Sequence, residues 1–343
     1  MTEYVYALVR EMEACAPKAR DVCFDTVFFG GGTPTLLPSE GFALLLDKAK
    51  ALFDLAPHAE ITAEANPATA TADKLSSLRR LGINRLSVGV QSMLDGELCA
   101  LGRIHSASEA RTFLSDARAA GFDNVNVDLM YGIPHQTVES AKQTLDAVLS
   151  FAPEHVSAYS LIVEEGTPFF ERRDSLALPD EEVEEAIDTL VKGTLREQGY
   201  QHYEISNYAV KGYECRHNLH YWKNDPYLGF GAAAYSCFDG VRYGNGRDLC
   251  AYLRAPGENR DEQTVLTEDD LAYEWIMLRL RLAEGLDTRA WSCRFGKDFN
   301  ALYHDALARF EKEGLLARKD SFVFLTERGM LLSNTVLLAF LQN

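Results

Sequence analysis

The stretch Asp25-Thr-Val-Phe-Phe-Gly-Gly-Gly-Thr-Pro-Thr35 decides how the rest of this chain is read. Residues 25–29 are apolar, β-branched and aromatic, the composition of a short buried strand. Gly30, Gly31 and Gly32 at its carboxyl end carry no Cβ, so positive φ is allowed and a backbone or ligand can approach closely. Thr33 adds a hydroxyl, and Pro34 stops the strand. Barrels and open α/β sheets build ligand sites from strands ending in bare, donor-rich turns. The competing reading is a tight turn that only reverses the chain.

Outward from this stretch, similar strand ends recur at helix-length spacing. Glu60-Ile-Thr-Ala-Glu64 runs into Ala65-Asn66-Pro67, and Arg85-Leu-Ser-Val-Gly-Val-Gln91 ends in an amide. Asn124-Val-Asn-Val-Asp128 ends in a carboxylate, and His155-Val-Ser-Ala-Tyr-Ser160 completes the series. Amphipathic patterns between them predict helices over residues 39–53, 71–81, 106–120 and 137–151. Strand, polar strand end, helix, strand is the rhythm of a parallel sheet. It sets every polar tip on one rim, the C-terminal face where barrel enzymes place their sites.

Six segments then carry a family resemblance: GGGTP at 30–34, EANP at 64–67, NRLSVGVQS at 84–92, LGRIH at 101–105, DLMYGIP at 128–134 and HNLHYW at 217–222. In this order they resemble the radical S-adenosylmethionine (radical SAM) proteins of the oxygen-independent coproporphyrinogen III oxidase group. Within that group the chain most resembles the heme-chaperone branch, from about Tyr4 to the C-terminus. The resemblance implies that Gly31, Gly32 and Thr33 form the backbone cradle for the amino acid end of S-adenosylmethionine. It implies that Glu64, Gln91, Arg103 and Asp128 line the same pocket. The strand-end reading by itself puts Glu64, Gln91 and Asp128 on that rim. Carboxylates and amides suit a cationic sulfonium ligand with ribose hydroxyls.

The resemblance also implies a feature that these residues lack. The family carries a first barrel strand and a CxxxCxxC loop whose three thiolates bind a [4Fe–4S] cluster. This chain opens at Met1-Thr-Glu-Tyr-Val-Tyr6, which corresponds to the helix after that loop. Its cysteines are Cys15, Cys23, Cys99, Cys215, Cys237, Cys250 and Cys293, with no two within three positions of each other. That spacing is not a cluster loop. The expectation is no ligation of the cluster by this chain, weak binding of S-adenosylmethionine, and no radical catalysis as written. With the preceding strand missing, residues 25–29 become a sheet edge with unpaired donors and acceptors. A misplaced start or a truncation explains that better than a shortened natural protein.

Length and composition set outer limits. The 343 residues give room for one large domain and a smaller one, and 47% hydrophobic residues are ample for a core. A formal charge of −17 argues against nucleic acid, whose binding depends on Lys and Arg neutralising phosphates. No signal peptide or run of 18 apolar residues is present, so no membrane span is expected, although peripheral membrane contact stays open. Scattered cysteines in odd number suggest reduced thiols and a cytoplasmic location.

Beyond the barrel pattern, Leu178-Pro-Asp-Glu-Glu-Val-Glu-Glu185 starts an acidic helix reaching about residue 197, its acids favouring the helix N-terminus. The segment His217-Asn-Leu-His-Tyr-Trp222 packs two histidines and two aromatics into six positions. Imidazole can ligate heme iron, and aromatic faces can stack on a macrocycle. The plainer reading is a hydrogen-bonded segment that closes the barrel. The family's HNxxYW pattern, associated with heme in the chaperone branch, matches His217, Asn218, Tyr221 and Trp222. His220 stands at a free position of the pattern as an extra candidate ligand. Thr267 with Asp270 forms a helix-capping pattern, and the helices and short strands after it resemble a winged-helix module. An acidic chain with no basic recognition helix makes that module a lid or packing domain, not a DNA reader.

The expected protein is therefore α/β. A partial (βα)6 TIM-like radical SAM barrel, missing its first strand, spans residues 1–175. A barrel-closing and HNxxYW linker region covers 176–262, and a small winged-helix-like C-terminal domain covers 263–343. The leading function is heme binding and delivery to client hemoproteins. The alternatives are an oxygen-independent coproporphyrinogen III oxidase-type radical SAM enzyme, or an inert scaffold.

Overall fold

The computed structural model describes residues 1–341. The chain packs as two compact units. A barrel unit comprises Val22–His202 and Ser206–Cys215, and a second unit comprises Met1–Asp21, Tyr203–Ile205 and the chain from Arg216 onward.

The chain starts with α1 (Thr2–Cys15), an amphipathic helix of the second unit that buries Val5, Leu8, Val9 and Met12. The barrel unit then alternates β1 (Cys23–Phe29), α2 (Ser39–Leu52), β2 (Asp54–Ala65), α3 (Ala72–Leu81) and β3 (Arg85–Gln91). It continues through α4 (Asp95–Ala100), α5 (Ala107–Ala119), β4 (Val125–Tyr131), α6 (Val138–Leu149) and β5 (His155–Ser160). Next come α7 (Pro168–Glu171), the acidic α8 (Glu181–Glu197), β6 (Gln201–Glu204) and β7 (Asn207–Ala209). The sheet runs β1-β2-β3-β4-β5-β7-β6. Its first five strands are mutually parallel, and β7 joins β5 antiparallel. β1 lies at the edge of this sheet and is only half-buried, whereas β3 is buried along its whole length.

Alternation along the strands gives the sheet two unlike faces. Ile61, Ala63, Leu86, Val88, Val90, Val125, Val127, Leu129, Val156 and Ala158 join the helices in one continuous apolar core. The residues between them are Thr62, Glu64, Arg85, Ser87, Gly89, Gln91, Asn126, Asp128, His155, Ser157 and Tyr159. One face is therefore a packed core, and the other is a polar surface suited to a ligand. The helices are capped by the side chains that their sequences offer: Thr71, Ser106 and Thr137 cap α3, α5 and α6.

In the second unit, α9 (Arg216–Trp222) precedes a three-stranded antiparallel sheet of β8 (Tyr235–Phe238), β9 (Val241–Asn245) and β10 (Arg260–Val265), with α10 (Leu249–Arg254) between the last two. The predicted Thr267–Asp270 capping box opens α11 (Glu268–Arg279). A second small sheet has the order β11 (Leu286–Asp287), β13 (Phe322–Leu325), β12 (Leu316–Lys319). It packs with α12 (Thr288–Phe295), α13 (Phe299–Leu302), α14 (His304–Lys312), α15 (Glu327–Leu331) and α16 (Ser333–Leu338). Trp291, Phe295, Phe299, Tyr303 and Phe340 form its aromatic core. No helix among the described residues is long and apolar enough to cross a membrane.

Candidate functional site

The polar face of the barrel unit gathers the residues singled out at its strand ends. Gly31 and Gly32 follow β1 with φ of 77° and 60°, values that few residues with a side chain adopt, and a Cβ on either would point into open space. The Gly31 N–H donates to the Glu64 carboxylate at 3.0 Å. The Thr33 hydroxyl accepts from Asn66 at 3.4 Å. On the facing strand a Cβ at Gly89 would meet Asn66 Oδ1 at 2.8 Å, so a side chain there would displace the Asn66 amide.

Gln91 closes β3 at φ 70° while almost fully buried, beyond a register shift between β3 and β4. A bulge of this kind re-aims a side chain, and a strained non-glycine residue at a strand end marks a site where other contacts hold it. The Tyr159 hydroxyl supplies one of those contacts by donating to the Gln91 side-chain carbonyl at 3.0 Å.

Two acids face this surface, and burial raises the pKa of both. For Glu64, loss of solvent dominates, the Gly31 N–H opposes it, and repulsion from Asp128 adds to it. For Asp128, loss of solvent outweighs hydrogen bonds from Asn126 and Ser157 and the charges of Arg85 and Arg103. Asn126 Nδ2 donates to Asp128 at 2.7 Å and to Ser87 at 2.8 Å, while its carbonyl oxygen meets His155 Nδ1 at 2.6 Å. Burial, then Arg85, keeps His155 neutral. Arg103 acts on Asp128 and Tyr159 through its charge. The fold thus brings Gly31, Gly32, Thr33, Glu64, Gln91, Arg103 and Asp128 to one face.

Sequence reasoning missed the residues that hold this set in place. Asn66, Asn126, Ser157 and Tyr159 were visible only as polar members of strands or turns. Glu97 had no signal at all. Nearly buried, it accepts from Ser92 at 2.6 Å, Ser140 at 2.7 Å and Gln136 at 3.3 Å, tying the loops after β3 and β4 to α6.

In the second unit, α9 carries the histidine–aromatic segment. His217 and Tyr221 lie one turn apart, with His217 Nε2 3.0 Å from the Tyr221 hydroxyl. The Tyr221 ring is exposed and stacks edge-on against Tyr227, their centroids 4.7 Å apart. His220 Nδ1 meets Asp225 Oδ2 at 2.8 Å, the kind of carboxylate contact that fixes the tautomer of a metal-binding histidine. Asp225 was not foreseen. Asn218 sits on the same helix, half-buried, and Trp222 ends it.

Comparison with known proteins places this geometry. Residues 4–148 match the radical SAM superfamily, and residues 266–332 match the HemN C-terminal domain. The heme chaperone HemW of Bacillus subtilis is 37% identical over 99% of this chain and 91% of its own length. The chain belongs to the HemW family. HemW of Escherichia coli is 35% identical over 99% of the chain and 90% of its own. The solved structure of coproporphyrinogen III oxidase (HemN) from E. coli, a radical SAM enzyme, superposes with a TM-score of 0.87 over 99% of this chain and 83% of that one, at 24% identity. That likeness establishes the fold.

Against this family background the cysteines stand apart. None of the seven is in a disulfide among the described residues; Cys215 is buried, and Cys23, Cys99, Cys250 and Cys293 are exposed. Among the described residues, no three of His, Cys, Asp and Glu come close enough to hold a metal ion together. The cradle gathers two carboxylates, an amide and a glycine turn, and α9 gathers imidazoles and aromatic rings.

Proposed function

We propose that this protein binds heme through α9 and passes it to client hemoproteins, and that its barrel cradle binds S-adenosylmethionine weakly. The observation that carries the heme reading is the pairing of His217 with Tyr221 on one exposed helical turn, beside Tyr227. Imidazole supplies an axial ligand, and the rings supply apolar faces for a porphyrin. The bond between His217 and the Tyr221 hydroxyl is exposed, and a neutral hydrogen bond in water is worth only about 1 kcal/mol. Iron can displace it. The HemW relatives support the reading by their shared length and identity.

In the cradle, Gly31 and Gly32 carry no Cβ, so the amino acid end of a ligand can come close to the backbone. Glu64 and Asp128, crowded and desolvated, would be relieved by a cation placed between them. A radical SAM cluster, when bound, supplies the electron that cleaves S-adenosylmethionine. Among the described residues the cysteines do not come together to hold one, and we take coproporphyrinogen oxidation as the weaker reading. In the parent family the cluster also anchors the methionine end, which is why binding here is proposed as weak.

Heme titration of single variants tests the main reading. His217→Ala is expected to shift the Soret band and weaken heme retention, with His220→Ala doing less. If His217→Ala lowers the melting temperature but leaves the Soret band in place, His217 is a structural brace and the ligand claim ends. A shift confined to His220→Ala moves the ligand to the histidine that Asp225 orients.

A further inference from the structure

Five hydrogen-bond donors of the second unit, all beyond the reach of water, have no acceptor: Trp222 Nε1, Asn224 Nδ2, Trp275 Nε1, Arg279 Nε and Arg281 Nε. Ring and backbone contacts link their residues along the end of α9 and the last turns of α11. The Arg279 guanidinium lies 4.2 Å from the Trp275 ring centroid, and that of Arg294 lies 4.4 Å from the same centroid. The Arg281 guanidinium lies 5.7 Å from that of Trp222. Arg279 also donates to the carbonyl of Lys223, between Trp222 and Asn224, at 3.3 Å. Among the described residues, none of these three arginines forms an ion pair.

Buried donors are normally paired, so a cluster of five needs an acceptor. The nearest carboxylates do not serve. Asp225 is taken by His220, and Asp287 caps α12 through the backbone of Arg289 and Ala290. Both act on Arg279 only as distant charges, as does Glu284.

We propose that this cluster is a carboxylate-binding site, and, resting on the heme reading above, that the carboxylate is a propionate of heme seated on α9. Indole, amide and guanidinium are planar donors, and a carboxylate has in-plane lone pairs for up to four of them. The field of Asp225, Glu284 and Asp287 favours a monoanion over a phosphate dianion. His217 and Trp222 stand on the same short helix, about 7.5 Å of axial rise apart. Trp222, Asn224, Arg279 and Arg281 are half-exposed, so the long arginine arms form the movable outer wall.

The three tryptophans allow a direct test. Trp291 Nε1 already donates to the Ala272 carbonyl at 3.1 Å, and it serves as an internal reference. Titration of the heme-free full chain with succinate at neutral pH, followed through indole ¹⁵N–¹H signals, is expected to shift Trp222 and Trp275 saturably and leave Trp291 in place. Arg279→Gln and Arg281→Gln should each weaken the response at least tenfold, with the Trp291 signal confirming an intact fold. No shift, or a shift that persists in both variants, overturns the site. Inorganic phosphate saturating at a lower concentration than succinate overturns the carboxylate assignment. No porphyrin enters this titration, so its outcome stands apart from the Soret result. Heme with esterified propionates should bind at least tenfold more weakly than heme, and equal binding overturns the propionate assignment alone.

Discussion

Glu64 and Asp128 show how single residues set the behaviour of the cradle. Both must be ionised to hold a cation, and both have raised pKa values. Binding of S-adenosylmethionine should therefore weaken, as pH falls, at a higher pH than ordinary carboxylates would give. Glu64→Gln keeps the shape and removes the charge. Calorimetry at pH 7.5 should show affinity reduced by about 10- to 100-fold, the equivalent of one charged hydrogen bond. Unchanged affinity would remove Glu64 from the pocket. His155 makes an opposite prediction about stability. Its folded pKa lies well below that of an exposed imidazole, because burial and then Arg85 disfavour its charge. Below about pH 6.5 the unfolded chain binds this proton and the folded chain does not. Stability should then fall by about 1.4 kcal/mol per pH unit from this group. Denaturant unfolding at several pH values between 5.5 and 7.5 should give a steeper loss for the natural chain than for His155→Asn, and equal slopes would count against the assignment.

At the scale of elements, α1 shows what an amphipathic pattern hides. Its apolar stripe of Val5, Leu8, Val9 and Met12 was legible, but the pattern gave no reason to bury Glu11. The structure buries it, with its carboxylate accepting from Asn245 Nδ2 at 2.6 Å, the Tyr252 hydroxyl at 2.7 Å and the Gly231 N–H at 2.9 Å. These bonds pin α1 to residues more than 200 positions away. Glu11→Ala would strand three donors, and chemical denaturation should show a loss of about 2–4 kcal/mol, because each unsatisfied buried group costs about 1–3 kcal/mol. A loss below 1 kcal/mol would mean that water replaces the carboxylate. β3 teaches the same lesson. Its alternation was plain, whereas the register shift that re-aims Gln91 depends on its pairing with β4.

At the scale of the whole molecule, the disposition of cysteines governs what chemistry the 343 residues can support. Anaerobic reconstitution with iron and sulfide should give no stoichiometric [4Fe–4S] spectrum and no methionine with 5′-deoxyadenosine. One cluster per chain would show that scattered thiols such as Cys15 or Cys23 had been recruited. The βαβ rhythm, the parallel strands and the rim of polar strand ends could be read from sequence because side-chain periodicity reports local backbone geometry and which face is buried. Gly31, Gly32, Glu64, Gln91 and Asp128 stood out because they end strands. The residues that orient them did not, since Asn126, Tyr159 and Glu97 act through partners distant in sequence. The same holds for Asp225 beside His220 and for the unpaired donors around Trp222 and Arg279. Local pattern determined the strands, helices and candidate ligands. Only tertiary packing decided which polar groups lost water, and so which carboxylates hold protons tightly and which donors still lack a partner.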